Sequence, residues 1–418
     1  RSCKVIIYKY RREKVFRFKM EVYAMQLKFA KRMENIKASE IRELLKLTQR
    51  PEIISFAGGL PAAELFPVEE MIHISKEVIE KHGSKALQYG PTEGYQPLRE
   101  AIASRMEKVH VHMTANDVLV TSGSQQGLDF AAKVFINPGD VIIVEKPSYL
   151  GAINAFKAYE PKFIDVELED DGMNMEELEE ILKNTENVKY IYVIPDFQNP
   201  SGKTWSTEKR MKLVELANKY DIVIVEDNPY GELRFEGEIL PAIKHYDTEG
   251  RVVFFGTFSK IFCPGLRLGW VAASPEILNK FILVKQGADL QSSTISQIEV
   301  ATFLDNYNIE EHIEKIKETY LRRRNLMLKV MDEEFPEGVK FTRPQGGLFT
   351  WVELPEYINT RDLAVKALEK HVAFVPGGSF FANGGNEHCM RLNYSAMSDE
   401  LIVEGMKRLA QVIKEAMK

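Results

Sequence analysis

The stretch Val118-Leu119-Val120-Thr121-Ser122-Gly123-Ser124-Gln125-Gln126-Gly127 decides the fold. Four β-prone residues enter a glycine-containing turn, and a helical window over 125–135 follows. The unit recurs along the chain. Short runs rich in Val, Ile and aromatics stand at 118–121, 141–144, 188–194, 222–225 and 252–255, with helical windows at 125–135, 174–184 and 207–220. Apolar strands separated by helices indicate an α/β fold, a mostly parallel sheet sandwiched by helices. Ligands of such sheets settle at the carboxyl ends of the strands. The residues after each run are therefore the ones to read for function.

Outward from this core the pattern changes. Towards the N-terminus, a short helix with one apolar side covers Ile41 to Leu47, and an irregular Gly/Pro-rich loop runs over 54–67. Pro67 suits the first turn of a helix over 68–82, and another helix spans 97–109. Beyond Ser274 the chain turns mostly helical, with a long charged helix from Ile309 to Glu334. Strands near 348–352 and 390–394 and helices near 360–370 and 398–416 complete a smaller α+β unit. The expected organisation is a basic extension over 1–32 outside the catalytic fold and a segment over 33–70 that joins the small domain. A large domain then occupies 71–308 and a small one 309–418.

Composition narrows the function. The 418 residues are 44% hydrophobic and 28% charged, with a net charge of −6, as in an ordinary globular protein. A mildly acidic chain argues against wholesale nucleic-acid binding, and no apolar run approaches the roughly 18 residues of a membrane span. Cys3, Cys263 and Cys389 lie too far apart for a disulfide framework or a paired-cysteine metal site, so a reducing, cytoplasmic setting without metal is expected. Residues 1–32 hold eleven Lys/Arg against Glu13 and Glu21, which leaves the remainder strongly acidic. A targeting peptide, a nucleic-acid arm or an upstream extension all suit that leader.

The strand ends carry polar groups of complementary kinds. After 118–121, Gly123 permits a tight turn, and Ser124 and Gln125 open a helix whose free N–H groups suit an anion. After 141–144 comes Tyr149, an aromatic able to stack on a planar ligand. After 188–194 comes Asn199, and after 222–225 come Asp227 and Tyr230. After 252–255 come Thr257, Ser259, Lys260 and Arg267. Singly, each is a cap, a turn or a packing residue. Jointly, hydroxyls with an Arg suit a phosphate, and Asp, Tyr and Asn suit a flat heterocycle. A Lys suits a Schiff base, and pyridoxal phosphate needs this whole set.

In order along the chain, "SGSQQG", "QNPSG", "EDNPYG", "TFSK" with Arg267, and "MRLNYS" resemble the class I aminotransferases of fold type I, from about Ile36 onward. The segments at 41–67, 87–100 and 371–385 are most similar to the branch of 2-aminoadipate and kynurenine-aminotransferase-like enzymes. The resemblance implies a seven-stranded-type sheet and pyridoxal 5'-phosphate as cofactor. It also implies amino-group exchange between an L-amino acid (2-aminoadipate, glutamate, leucine or an aromatic) and a 2-oxo acid, 2-oxoglutarate being the expected acceptor.

By position, it makes Lys260 the Schiff-base lysine, Asp227 the partner of the pyridine nitrogen, and Tyr230 and Asn199 the partners of the ring's phenolic oxygen. Tyr149 becomes the stacking ring, and Ser124, Gln125, Thr257, Ser259 and Arg267 the phosphate cup. Arg391 with Asn199 becomes the clamp on the substrate carboxylate. Tyr89 reaches across a homodimer interface, and Arg42 and Gly59 close over the substrate side chain. Asp196 departs from the pattern and is expected to add charge near the site. Other readings are a fold-type-I β-lyase or decarboxylase, and a cofactor-sensing transcription regulator, which would need a DNA-binding module ahead of the body.

Overall fold

The structure, a computed structural model, describes residues 27–34, 36 and 50–418. The short helix expected over 41–47, most of the basic leader and Arg42 lie outside the described residues.

The central sheet follows from strand sequences that are apolar on both faces. Its order is Val118–Thr121, Gly269–Ala272, Val252–Thr257, Val223–Asp227, Val188–Val193, Val141–Lys146, Lys162–Glu169 and Gly172–Met173. Neighbours from Val252–Thr257 to Lys162–Glu169 run parallel, whereas Gly269–Ala272 opposes both of its partners. Seven strands of four or more residues thus form the sheet, with a two-residue strand at one edge.

Side chains alternate between two cores, as a period of two requires. Ile142, Val144, Tyr190, Tyr192, Val225 and Val253 feed one cluster, and Val141, Ile143, Ile191, Val193, Ile224 and Val252 feed the other. Each fully buried Val or Ile is worth roughly 1.5–3 kcal/mol relative to exposure, so neither face can turn to water. The helices Ser124–Phe135, Met175–Asn184 and Thr207–Tyr220 cover the sheet where the apolar periodicity places them.

The strand Lys162–Glu169 and the helix Leu150–Lys157 escape the sequence reading. The strand lies next to the sheet's edge and mixes exposed Lys162, Glu167 and Glu169 with buried Val166 and Leu168, so its apolar run is broken.

A second, four-stranded antiparallel sheet has the order Lys340–Phe341, Phe349–Glu353, Cys389–Asn393, Val375–Pro376. The helices Ile309–Glu334 and Asp399–Ala416 pack together beside it. Ile54–Ser55 pairs in parallel with Val372–Ala373, which draws the N-terminal segment onto these C-terminal elements. Ala62 N–H donates to Tyr320 Oη at 2.9 Å, and Arg323 reaches Glu64 and the Ser395 carbonyl, fixing the loop that follows.

Backbone crowding joins sheet and site at Gly269. A Cβ there would stand 2.7 Å from Ser124 N, 2.8 Å from the Gly256 carbonyl oxygen and 2.9 Å from Gly123 C, none of which can swing aside. Gly269→Ala is expected to destabilise the protein by about 2 kcal/mol in denaturant unfolding. Gly83→Ala, on a helix with nothing within 4 Å of the new methyl, should stabilise it by about 0.5 kcal/mol. Equal effects would show that crowding at Gly269 is relieved without cost.

Candidate active site

A cavity of about 480 Å³ opens at the carboxyl ends of the central strands, between that sheet and the smaller one. A larger depression of about 560 Å³ lies around Lys203, Lys340 and Arg343, on the surface between the two sheets. There Lys203 pairs with Asp170 and Arg343 with Asp332, so it offers no comparable set of buried, unpartnered groups. The smaller cavity carries the chemistry.

One end of it is built for an anion. Ser124 and Gln125 line the cavity from the first turn of Ser124–Phe135, where backbone N–H groups lack intrahelical partners. Gly123 precedes them at φ +79°, and a Cβ on it would lie 2.5 Å from Arg267 Nη2. Only glycine allows both the turn and the guanidinium's approach. Thr257 ends its strand and accepts the Ser259 N–H at 3.1 Å, while the two hydroxyl oxygens stand 3.0 Å apart. Hydroxyls, free N–H groups and an Arg fork are the donor set of a phosphate.

The middle holds a carboxylate in need of a partner. Asp227 is the last residue of Val223–Asp227 and is 2% exposed. Its Oδ2 accepts the Tyr192 hydroxyl at 2.9 Å, but its Oδ1 has no hydrogen-bond partner among the described residues. Burial pushes its pKa up to about 7, against the pull of the Tyr192 bond. A cationic N–H placed on Oδ1 would reverse that shift. Tyr230 follows three residues on, with Asn199 Nδ2 3.4 Å from its hydroxyl, and Tyr149 lines the same cavity. The turn that presents Tyr230 is pinned by Asn228, whose Oδ1 accepts the Gly231 N–H and whose Nδ2 donates to Asp196.

Two cations complete the cavity. Lys260 Nζ donates to the Gly59 carbonyl at 2.8 Å, and burial, aided by the charges of Arg391 and Arg267, lowers its pKa to about 8. Arg391, on Cys389–Asn393 of the smaller sheet, donates to Asn199 Oδ1 at 2.8 Å and to the Ala57 carbonyl at 2.7 Å. Its guanidinium lies between the Phe349 and Phe380 rings, 4.3 and 5.1 Å from their centroids. Among the described residues no carboxylate pairs with it and its Nε lacks a partner, and burial lowers its pKa to about 10. A desolvated guanidinium without a counter-charge is a receptor for a carboxylate.

The structure therefore gathers Ser124, Gln125, Tyr149, Asn199, Asp227, Tyr230, Thr257, Ser259, Lys260, Arg267, Arg391 and Gly59 around one cavity. Tyr89 is elsewhere, 77% exposed beside Gln88 and Gln291. Asp196 does not line the cavity: the buried Arg210 neutralises it at 2.7 Å, contrary to the expectation of added charge near the site. Sequence reading missed Tyr192, Phe349 and Phe380. Tyr192 had a signal, a polar-tipped ring near the carboxyl end of its strand, whereas Phe349, on a strand of the smaller sheet, and Phe380, in the turn Gly377–Phe380 beside it, had none.

A family model described as aminotransferase class I and II matches residues 52–409. The aromatic-amino-acid aminotransferase 1 of Thermococcus litoralis is 51% identical over 395 residues, covering 93% of this chain and 95% of that one. The structure of Pyrococcus horikoshii kynurenine aminotransferase, solved with PMP, superposes with a TM-score of 0.90 at 45% identity, over 93% of this chain and 98% of that one. The alpha-aminoadipate aminotransferase LysN of Thermus thermophilus, complexed with N-(5'-phosphopyridoxyl)-L-leucine, gives 0.87 at 41% over the same shares. The chain belongs to the class I and II aminotransferases. Pyridoxal phosphate is the cofactor, and the cavity fits it: the unpartnered Asp227 Oδ1 suits its ring nitrogen, and the donor set at Gly123–Gln125 suits its phosphate.

The shift at Lys260 can be measured directly. Its folded pKa lies below the ordinary lysine value, so the neutral amine predominates above about pH 8. In cofactor-free protein, acylation of Lys260 followed by mass spectrometry should be half-maximal near pH 8. A half-point at the pH of surface lysines would contradict the desolvation argument.

Proposed function

We propose that this aminotransferase moves an amino group from an L-amino acid to a 2-oxo acid in two half-reactions that share one cavity, a ping-pong scheme with Lys260 as the Schiff-base lysine. The observation that carries the reading is that Lys260, the unpaired Arg391 and the unpartnered Asp227 line the same buried space. When bound, pyridoxal phosphate supplies the electron sink that makes an amino acid's Cα–H acidic and stores the amino group between half-reactions.

The chain's own residues do the rest. Ser124, Gln125, Thr257, Ser259 and Arg267 bind the phosphate, and Tyr149 covers the ring. Asp227 Oδ1 holds the proton on the ring nitrogen, and Tyr230 with Asn199 holds the phenolic oxygen. Arg391 grips the substrate α-carboxylate through its two-pronged fork, a geometry that a lysine lacks. That grip fixes which bond at Cα stands over the ring and so favours loss of the proton over loss of the carboxylate. Lys260 Nζ, with its pKa near 8, would take the proton from Cα of the amino acid in one half-reaction and deliver one to Cα of the former oxo acid in the other. Phe349, Phe380 and the backbone at Gly59 and Leu60 keep water from the reacting atoms.

The substrates we assign are 2-aminoadipate, glutamate, leucine and aromatic amino acids, with 2-oxoglutarate as acceptor. The apolar lining from Leu150, Val375 and the two Phe supports the leucine and aromatic members. Arg42 is assigned to the distal carboxylate of the acidic ones. We further propose a homodimer to which Tyr89 contributes across the interface. Its exposure, and the apolar groove of Phe66, Val68, Met71, Ile72 and Leu266, support this reading. Residues 71–308 are read as the cofactor domain, and 309–418 with 33–70 as the smaller one; the two separate sheets support that division. No helix among the described residues is long and apolar enough to cross a membrane. Cys263 and Cys389 are free thiols, in keeping with a cytoplasmic enzyme.

Lys260→Ala is expected to cut turnover by more than about 10⁴-fold while the unfolding midpoint stays within a few degrees. Normal turnover would end the assignment. Arg42→Ala should lower kcat/KM for 2-aminoadipate about tenfold more than for leucine, as loss of one charged contact predicts. Equal losses in steady-state kinetics would remove Arg42 from side-chain recognition.

A further inference from the structure

Behind the cavity lies a charged group with no part in the chemistry above. Lys285, on the helix Pro275–Ala288, has a side chain with no exposed surface. A buried ammonium survives only if its protons are matched, and these are. Nζ donates to Asp289 Oδ1 at 2.9 Å, to Gln126 Oε1 at 2.9 Å and to Ser292 Oγ at 3.1 Å. The pair does not line the cavity.

What the pair holds is the loop that does. Gln126 lies in the first turn of Ser124–Phe135, and its Oε1 also accepts the Ser122 N–H at 2.9 Å. Its Nε2 donates to Asp289 Oδ2 at 2.7 Å, and the Ser122 hydroxyl donates to the same oxygen at 2.9 Å. The amide thus faces two donors with its oxygen and a carboxylate with its nitrogen. Turning it over would set like against like at both ends, so the ion pair fixes its orientation. Ser122 is then tied by backbone and side chain on one flank of Gly123, while Ser124 and Gln125 open to the cavity on the other. Freed of Gln126, the Ser122 N–H is left to seek another acceptor, and the turn loses the shape that aims the helix N-terminus.

We propose that Lys285, paired with Asp289 and acting through Gln126, is a positioning residue for the cofactor's phosphate: it holds the Ser122–Gln126 turn in its anion-accepting shape before the cofactor arrives. The inference rests on the reading that this turn and Arg267 seat the phosphate. Its signature is selectivity for the phosphate group, because among the described residues no hydrogen bond links the network to the ring's partners Asp227 or Tyr230, which bond Tyr192 and Asn199. General loosening of the fold would weaken phosphorylated and unphosphorylated ligands alike.

The test is fluorescence titration of cofactor-stripped protein with pyridoxal phosphate and, separately, with pyridoxal. Lys285→Met/Asp289→Leu leaves no lone buried charge and is expected to keep its unfolding midpoint. Its Kd for pyridoxal phosphate should rise about tenfold while that for pyridoxal moves less than about twofold, the scale of one charge-assisted contact. Gln126→Met, which keeps the ion pair and cuts only the link, should show the same selective loss and serves if the double variant does not fold. Unchanged affinities, or equal losses for both ligands, would overturn the proposal. Arg267→Ala separates the premises. If that variant loses the preference for the phosphorylated ligand and the Lys285 and Gln126 variants keep it, the positioning role fails alone. If Arg267→Ala also keeps the preference, the phosphate seat itself is misplaced.

Discussion

Desolvation at the carboxyl ends of the central strands governs everything the cavity contains. Because both faces of the sheet are covered by apolar cores, a polar group just past a strand end has little water to turn to. Asp227 and Thr257 are the final residues of adjacent strands, so the fold itself delivers a carboxylate and a hydroxyl to that dry margin. The same burial acts in opposite senses on opposite charges. It raises Asp227 to about 7 and lowers Lys260 to about 8, which brings an acid and an amine towards the same pH. A water-filled cleft with the same side chains would have neither property.

How much of this was legible depends on whether a residue's role is local. The strand Val118–Thr121 and the helices Thr207–Tyr220 and Ile309–Glu334 have the bounds that periodicity assigns, because each buries a face that its own sequence encodes. The polar residues after each strand could be picked out for the same reason: topology makes strand ends converge whatever the connections do. Lys162–Glu169 was lost because its half-wet position breaks the apolar run. Phe349 and Phe380 were lost because they meet Arg391 only once the smaller sheet has assembled, Phe349 from the neighbouring strand and Phe380 from the turn after Val375–Pro376. Asp196 was misjudged since nothing near it in sequence reveals Arg210, which lies 14 residues away and fully buried. Short spacing predicts what touches along an element; it says little about which distant charge is cancelled.

Arg391 and Asn199 illustrate how the two sheets share one task. The guanidinium comes from the smaller sheet, and its amide partner from the loop after Val188–Val193 of the larger. Thr342, beside the smaller sheet, donates to the Ser201 carbonyl at 2.8 Å, so the loop that carries Asn199 is held from that side as well. Neither sheet alone assembles this Arg–Asn pair.

The segment around Ala57–Gly59 has a mechanical meaning of its own. Its two carbonyls, two residues apart, accept from Arg391 on the smaller sheet and from Lys260 beside the larger. Two residues of backbone span too little to absorb much separation, so this short run behaves as a tether with one foot on each body. Any sliding of one sheet relative to the other must stretch or break one of those two bonds. The environment of the amine and that of the guanidinium therefore change together, as readings from a single gauge.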